Sequence, residues 1–275
     1  MFTLSIEERA AMNIYLRELK ANLKSLLIWS GAVVLFILVG FSKFSAYEGN
    51  PELLAIFDSM PPALISAMEL RAFNLTTVTG FLGLMFTYFS LMLAIAAGTW
   101  GADIIIKEER DRTVEFALTL PITRAKLITA KALAAVTHSL LLLLVTWGAV
   151  LAGSMSYQTD PQFYQFLVYI MIALFILQFI FLSLGIFLGC AIKHYKKASS
   201  ITMFVLLQAY IVSMLAGLDQ RLEFLKFITP FKYFNPARLL HESKFDPTSL
   251  LLSAAIIVVC LAGAYFAYQR RDLYL

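Results

Sequence analysis

The sequence predicts an all-α protein that crosses a membrane six times, and three observations support this prediction. First, 60% of the 275 residues are hydrophobic and 15% are charged, whereas a soluble domain usually carries about 25% charged residues. Second, six long apolar stretches are separated by segments that hold nearly all of the charges. Third, Lys and Arg are concentrated in alternate segments, as in membrane proteins of fixed orientation.

The apolar stretches set the boundaries of the predicted spans. A helix of about 20 apolar residues crosses a bilayer, and each stretch is close to that length or longer. We expect a single transmembrane domain over residues 1–275. The predicted spans cover residues 25–42, 77–106, 132–153, 166–192, 198–218 and 248–269.

The segment before the first span has the pattern of an amphipathic helix. Its apolar residues recur at spacings of three and four, which places them on one side of a helix, and basic residues follow beside them. We expect this helix, residues 1–24, to lie in the cytoplasmic headgroup region; an ordinary soluble amphipathic helix is the alternative. The apolar stripe contains Met12, Leu16, Leu19, Leu23 and Leu26.

The distribution of basic residues predicts the orientation. With the N-terminus in the cytoplasm, 15 of the 22 Lys and Arg residues fall on the cytoplasmic side, which agrees with the positive-inside rule. We therefore expect both termini inside. The segment 219–247 then lies outside, and its many aromatic and aliphatic residues predict an amphipathic hairpin in the outer interface.

Residues 107–131, which we call the elbow, form the most highly charged segment of the chain. Thr113 can cap a short helix with Glu115 in its first turn, where an acid is favoured by the helix dipole. Pro121 would end that helix, and Thr123 can cap the next one. Leu118 contributes an apolar face. The elbow thus predicts a short helix along the cytoplasmic surface; a solvated, positively charged turn is the alternative.

The run ADIIIKEERDRTVEFALTLPITRAKLITAKAL, residues 102–133, resembles the stretch after the second span of ABC type-2 exporter permeases. That family has an acid near the end of the span, Glu-Arg, Gly-Thr-x-Glu, a leucine-rich turn, Pro-Ile-Ser-Arg, and a Lys that enters the next span. Arg112 stands where the family usually has glycine, and Thr123 where it has serine. The matching residues are Asp103, Glu109, Arg110, Thr113, Glu115, Pro121, Ile122, Arg124 and Lys131.

The resemblance implies that the elbow contains a coupling helix, which docks on an ABC ATPase subunit. It also implies a second permease chain, in a homodimer or a heterodimer, and transport by alternating access. ATP and Mg would be bound by the partner ATPase and by no residue of this chain. Residues 229–240 resemble the external segment before the last span of the same permeases. The residues expected to couple to the ATPase are Glu109, Arg110, Thr113, Glu115, Leu118, Pro121 and Arg124.

The sequence contains no Gly-x-x-x-x-Gly-Lys-Ser/Thr motif, the loop that cradles phosphates in P-loop ATPases. We therefore expect no catalytic residues and no enzymatic activity in this chain, and ATP hydrolysis on a separate subunit. We expect the protein to lie in the plasma membrane of a bacterium. Its expected partners include membrane lipid and no nucleic acid. The apolar interior favours a lipophilic or amphipathic cargo.

Several polar residues lie within the predicted spans. Gln178 and Gln208 are candidates for a translocation path, but hydrogen bonding between helices also explains a buried amide. Asp103 is expected near the inner interface, paired with a base. His138 is expected to be a neutral packing group rather than a proton relay. In the fourth span, Gly185-x-x-x-Gly189 predicts a close contact between helices.

Two other functions compete with transport. One is an intramembrane metalloprotease that uses Glu108, Glu109 and histidines, but the three His residues fall on different levels of the predicted topology and cannot converge on one metal. We expect no metal site. The other is an ATP-independent membrane anchor for a signalling complex, which would need no polar path between the spans.

Overall fold

The computed structural model describes residues 5–48, 50, 61, 73–113, 121–218 and 220–271. Within these ranges every long element is an α-helix, and six helices are long and apolar enough to cross a membrane. The long helices are α1 (Ile6–Phe44), α2 (Val78–Arg110), α3 (Arg124–Ser154), α4 (Phe163–Ala191), α5 (Tyr195–Ala216) and α7 (Pro247–Gln269), and the short α6 is Pro236–Glu242.

The helix boundaries follow from local capping chemistry. The hydroxyl of Thr77 accepts a hydrogen bond from the Gly80 N–H at 3.2 Å, and that of Thr123 accepts one from the Lys126 N–H at 3.3 Å. The predicted cap of the third span by Thr123 is therefore confirmed. Asp246 caps α7 through Ser249, whose side chain and backbone hydrogen bonds hold the pKa of this carboxyl below its ordinary value.

The first helix differs from the sequence expectation in one respect. The predicted interfacial helix and the first span are joined in one continuous helix, α1, which is 39 residues long. No proline occurs within it, and Ser25 at the expected junction accepts a hydrogen bond from the Trp100 indole N–H at 2.8 Å instead of capping a new helix. The headgroup position of its first turns stays a prediction.

Helices α2 and α4 form the centre of the bundle. In each of them 67% of the residues in an apolar stretch of 18 are buried within the chain, compared with 22% in α1 and α5 and 17% in α7. Helix α3 packs on α1, α5 packs on α2, and α7 packs on α4. Three of the six long helices therefore turn most of their surface outwards, and exposed apolar side chains cover it, as a lipid solvent allows.

The two central helices approach each other at glycines. A Cβ atom on Gly185 would lie 2.2 Å from the Gly98 carbonyl oxygen, and one on Gly101 would lie 2.4 Å from the Leu182 carbonyl oxygen. At Gly189 the corresponding distance to the Ala102 oxygen is 3.0 Å. The close contact predicted from the Gly-x-x-x-Gly spacing is confirmed, with α2 as the partner helix.

The end of the bundle away from the elbow is held together by aromatic side chains. Phe44 lies against Phe81 and Tyr157, with ring centroids 5.1 Å apart in each pair, and the Tyr157 hydroxyl donates to the Phe41 carbonyl oxygen at 2.8 Å. The predicted outer segment consists of two 3₁₀ segments (Gln220–Phe227, Pro230–Lys232) and α6. Its residues Phe231, Tyr233 and Phe234 are buried, so it packs on the bundle.

We predict that Gly185→Ala destabilises the protein by about 1–3 kcal/mol, the usual cost of overpacking a tight contact. The reason is that the new methyl group would collide with the backbone of α2. The measurement is the thermal unfolding midpoint in detergent.

The matched control is Gly148→Ala. Gly148 lies in α3, and a Cβ atom at this position would have no neighbouring atom within 4 Å. This substitution should therefore be neutral or stabilise the helix by up to about 1 kcal/mol. Equal midpoints for the two variants would contradict the close α2–α4 packing.

Candidate functional site: an ion-pair network at the elbow end of the bundle

Five charged side chains are almost fully buried where α2 ends and α3 begins. Glu18 and Lys131 are 0% and 1% exposed, and Glu108, Glu109 and Arg271 are each 7% exposed. Removing an ion from water costs several kcal/mol unless it is paired and hydrogen-bonded. Each of these five groups has an oppositely charged partner, and the ion pairs fall into two separate clusters.

The first cluster joins α1, α2 and α3. Lys131 of α3 forms an ion pair with Glu108 of α2 and also donates to the Ile104 carbonyl oxygen at 2.8 Å. Glu18 of α1 accepts from Lys107 of α2 at 3.0 Å. Arg17 bridges the two acids, at 3.0 Å from Glu18 and 3.4 Å from Glu108. The three helices are therefore fixed to one another at this end.

The second cluster joins α2 to the end of the last span. The Arg271 guanidinium donates to Glu109 at 2.8 Å. It also donates to the carbonyl oxygens of Gly189 and Cys190 at the end of α4, the latter at 3.3 Å. Glu109 was predicted as an ATPase-coupling residue. The structure places it inside the chain, where its carboxylate binds Arg271, and its coupling role stays a prediction.

Arg124, in the first turn of α3, binds the same stretch of chain. Its Nη1 donates to the carbonyl oxygens of Tyr268 and Gln269, both at 3.3 Å, and to that of Arg271 at 3.0 Å. A cation at this position satisfies carbonyls that the end of a helix leaves unpaired. The two sides of the elbow, Glu109 and Arg124, thus both hold residues 268–271.

Of the other predicted coupling residues, the structure describes Arg110, Thr113 and Pro121. Arg110 is exposed and pairs with Asp111 at 3.2 Å. The Thr113 N–H donates to the Glu108 carbonyl oxygen at 2.8 Å, and Pro121 is exposed. Glu115 and Leu118, together with the short helix predicted around them, lie outside the described residues. Their coupling role stays a prediction.

The turn after α2 explains the glycine of the family pattern. Arg112 has φ 56°, in the left-handed region. Residues that carry a Cβ atom adopt this backbone conformation at a cost of roughly 1–2 kcal/mol. The following N–H, that of Thr113, bonds back to the Glu108 carbonyl oxygen, as in a Schellman helix terminus. The turn thus has the left-handed geometry that glycine adopts most readily, although arginine stands at this position.

Two sequence expectations concern single polar groups within the spans, Asp103 and His138. Asp103 accepts a hydrogen bond from the Ser199 hydroxyl of α5, so the expected pairing with a base was wrong; the nearby Lys107 binds Glu18 instead. His138 is buried beside Trp100, and its Nδ1 lies 2.8 Å from the Ala134 carbonyl oxygen. This geometry agrees with a packing role.

The two glutamines do not lie on a common surface. Gln178 is buried between α4 and α3, where its amide nitrogen lies 3.3 Å from the Ser139 carbonyl oxygen. Gln208 is exposed on α5. Hydrogen bonding between helices accounts for the amide nitrogen of Gln178, while its buried Oε1 has no hydrogen-bond partner in the described ranges. Within the described residues the two side chains therefore do not line one path, and their role in translocation stays a prediction.

The two glutamates considered for the competing metalloprotease hypothesis have other partners. Glu108 binds Lys131 and Arg17, and Glu109 binds Arg271. In the part of the chain that the structure describes, no group of three or more His, Cys, Asp and Glu side chains could hold a metal ion. The arrangement of these acids is that of a structural network.

Sequence reasoning missed Glu18 and Arg271 as members of the network. Glu18 appears in the sequence as one acid within a basic stripe, and Arg271 as a positive-inside charge. The signal available was the number of acids near the ends of the spans: Glu18, Glu108 and Glu109 each require a cation if buried.

A family model for the ABC-2 family of transporter proteins matches residues 12–273. The chain belongs to this family. It is therefore a multi-pass membrane protein and a permease subunit of an ABC transporter, a membrane subunit that is not itself catalytic. A search of curated proteins gave no match to the chain.

We predict that Lys131→Met destabilises the permease by about 3–5 kcal/mol, because Glu108 would remain buried with only the half-exposed Arg17 as a partner. The double variant Glu108→Leu/Lys131→Met should recover much of this loss, since it removes both buried charges. Thermal unfolding in detergent measures both.

The control is Lys126→Met, which breaks an exposed ion pair with Glu7. Exposed pairs contribute about 0–1 kcal/mol. If the double variant were no more stable than Lys131→Met, the loss would not come from an unpaired buried acid.

We further predict that Arg112→Gly raises the stability by about 1 kcal/mol, because glycine adopts the left-handed conformation without steric cost. Arg112→Ala removes the same charge but keeps the Cβ atom, and it should give no gain. Thermal unfolding in detergent compares the two variants. A gain in both would assign the effect to the charge rather than to the backbone.

Proposed function

We propose that this permease is the transmembrane subunit of an exporter, and that its elbow is the surface on which a separate ABC ATPase docks. The observation that carries the proposal is the attachment of both sides of the elbow to the end of α7: Glu109 through Arg271, and Arg124 through the backbone of residues 268–271. A force applied to the elbow would therefore reach α2, α3, α4 and α7 together.

The proposal includes an orientation. Both termini lie in the cytoplasm, as the excess of basic residues favours, and the elbow faces the ATPase. The membrane is the plasma membrane of a bacterium. ATP and Mg are bound by the partner, and a second permease chain, identical or different, completes the transporter.

Transport would follow alternating access, in which closure of the ATPases brings two elbows together and rearranges the helices. The cargo we propose is lipophilic or amphipathic, since the outward surfaces of α1, α5 and α7 and much of the interior are apolar. Gln208, exposed on α5, is available to such a path only where α5 meets the second chain or the cargo.

We predict that Glu115→Arg or Leu118→Asp leaves the protein in the membrane but releases the ATPase. Glu115 supplies the acid of the family pattern, and Leu118 the apolar face of the predicted docking helix. The measurement is co-purification from native membranes in mild detergent, with mass spectrometry of the bound proteins. An ABC ATPase at roughly equal stoichiometry is expected with the unchanged chain.

The control is Glu223→Arg, a charge reversal at an exposed position on the opposite side of the membrane. It should retain the ATPase. Unchanged co-purification of the elbow variants would contradict docking at the elbow. A preparation without any ATPase would favour a membrane anchor, and so would full function with an ATPase partner that cannot hydrolyse ATP.

A further inference from the structure

A cleft of about 350 Å³ opens between the ends of α4 and α7, at the same end of the bundle as the elbow. A cleft of this size is within the range of small-molecule sites, roughly 300–1,000 Å³. Its polar lining comes from Lys193, Arg270 and Arg271, and Phe266 and Cys190 contribute apolar surface. It lies beside the ion-pair network and shares only Arg271 with it.

The charge of the cleft is positive and partly uncompensated. Three basic side chains line it, and no acidic side chain of the described ranges does. Arg271 is neutralised by Glu109. Lys193 and Arg270 are both exposed, and neither has an acidic partner among residues 5–48, 73–113, 121–218 and 220–271. Two cations without an acidic partner in these ranges favour an anionic ligand at the mouth of the cleft.

The apolar side of the cleft continues along α7. Phe266 is 57% exposed, and the Arg270 guanidinium lies 4.0 Å from the centre of its ring. Leu251, Val258 and Val259 are 71%, 64% and 69% exposed. These residues precede Phe266 by fifteen, eight and seven positions, respectively, which places all four side chains on one face of the helix. The cationic mouth therefore opens onto a long apolar stripe.

We propose that this cleft binds the phosphate headgroup of an anionic phospholipid, with an acyl chain along the apolar stripe of α7. Basic pockets between helices at the cytoplasmic membrane surface are suited to such headgroups. In the orientation proposed above, the site faces the inner leaflet. A free phosphate would share the headgroup chemistry, but it would make no use of the apolar stripe.

The test compares two double variants of the full-length permease, purified in mild detergent and examined by native mass spectrometry with added phosphatidylglycerol or phosphatidylcholine. Lys193→Gln/Arg270→Gln should weaken the binding of phosphatidylglycerol by about 30-fold, since each of the two basic residues near the surface contributes about 1 kcal/mol to the attraction of anionic lipid. The binding of phosphatidylcholine should not change.

The matched control is Lys196→Gln/Lys197→Gln. It removes the same charge from exposed positions in the neighbouring turn, and neither lysine lines the cleft. The control should bind phosphatidylglycerol as the unchanged protein does. Equal losses in both double variants would overturn the site, because they would reflect net charge alone, and so would equal binding of the two lipids.

Competition separates a lipid from a soluble anion. Glycerol 3-phosphate carries the headgroup phosphate without acyl chains, and it should displace phosphatidylglycerol only weakly. Efficient displacement at equal concentration would reassign the cleft to a soluble phosphate. No ATPase is present in this experiment, so its outcome is independent of docking at the elbow.

Discussion

The burial of charge at the end of α2 is the constraint on which this structure depends. Glu108 and Glu109 are neighbours in sequence and point to different partners, one to Lys131 of α3 and the other to Arg271 beyond α7. Neither acid is stable there alone, because an unpaired buried ion costs several kcal/mol. The first turns of α3 and the segment that follows α7 are therefore fixed relative to α2, although they are far apart in sequence.

The same helix also forms the tightest packing of the bundle. Where Gly98 and Gly101 of α2 meet α4, the two backbones come so close that they occupy space that a side chain would otherwise fill. In a membrane the hydrophobic effect does not drive helices together, and association depends on close packing and polar contacts. Helix α2 supplies both, glycines in its middle and acids at its end, which explains why it is among the most deeply buried spans.

The fold could be predicted from the sequence because its signals are local. Apolar length predicted six long helices, which the structure contains, and Thr123 and the Gly185-x-x-x-Gly189 spacing predicted a cap and a contact that are also present. The network could be predicted only in part. That Glu109 would bind Arg271 depends on how α7 ends beside α2, and nothing in the sequence between them specifies that geometry. The prediction for Asp103 was wrong for the same reason, since the choice between Lys107 and Ser199 is made by the packing of α5 and α1.

The contacts of α5 differ in kind from those of the other spans. At the elbow end, α1, α2, α3, α4 and α7 are joined by buried ion pairs or by donation from Arg271 and Arg124. Helix α5 is joined to α2 there by the hydrogen bond between Ser199 and Asp103. Breaking a buried ion pair leaves a charge in the apolar interior, which costs several kcal/mol. Asp103 is only partly buried, and a hydrogen bond from a hydroxyl to a carboxylate contributes about 1.5–3 kcal/mol. Helices tied by ion pairs should therefore move as one body, and a rearrangement of the bundle is expected first at α5.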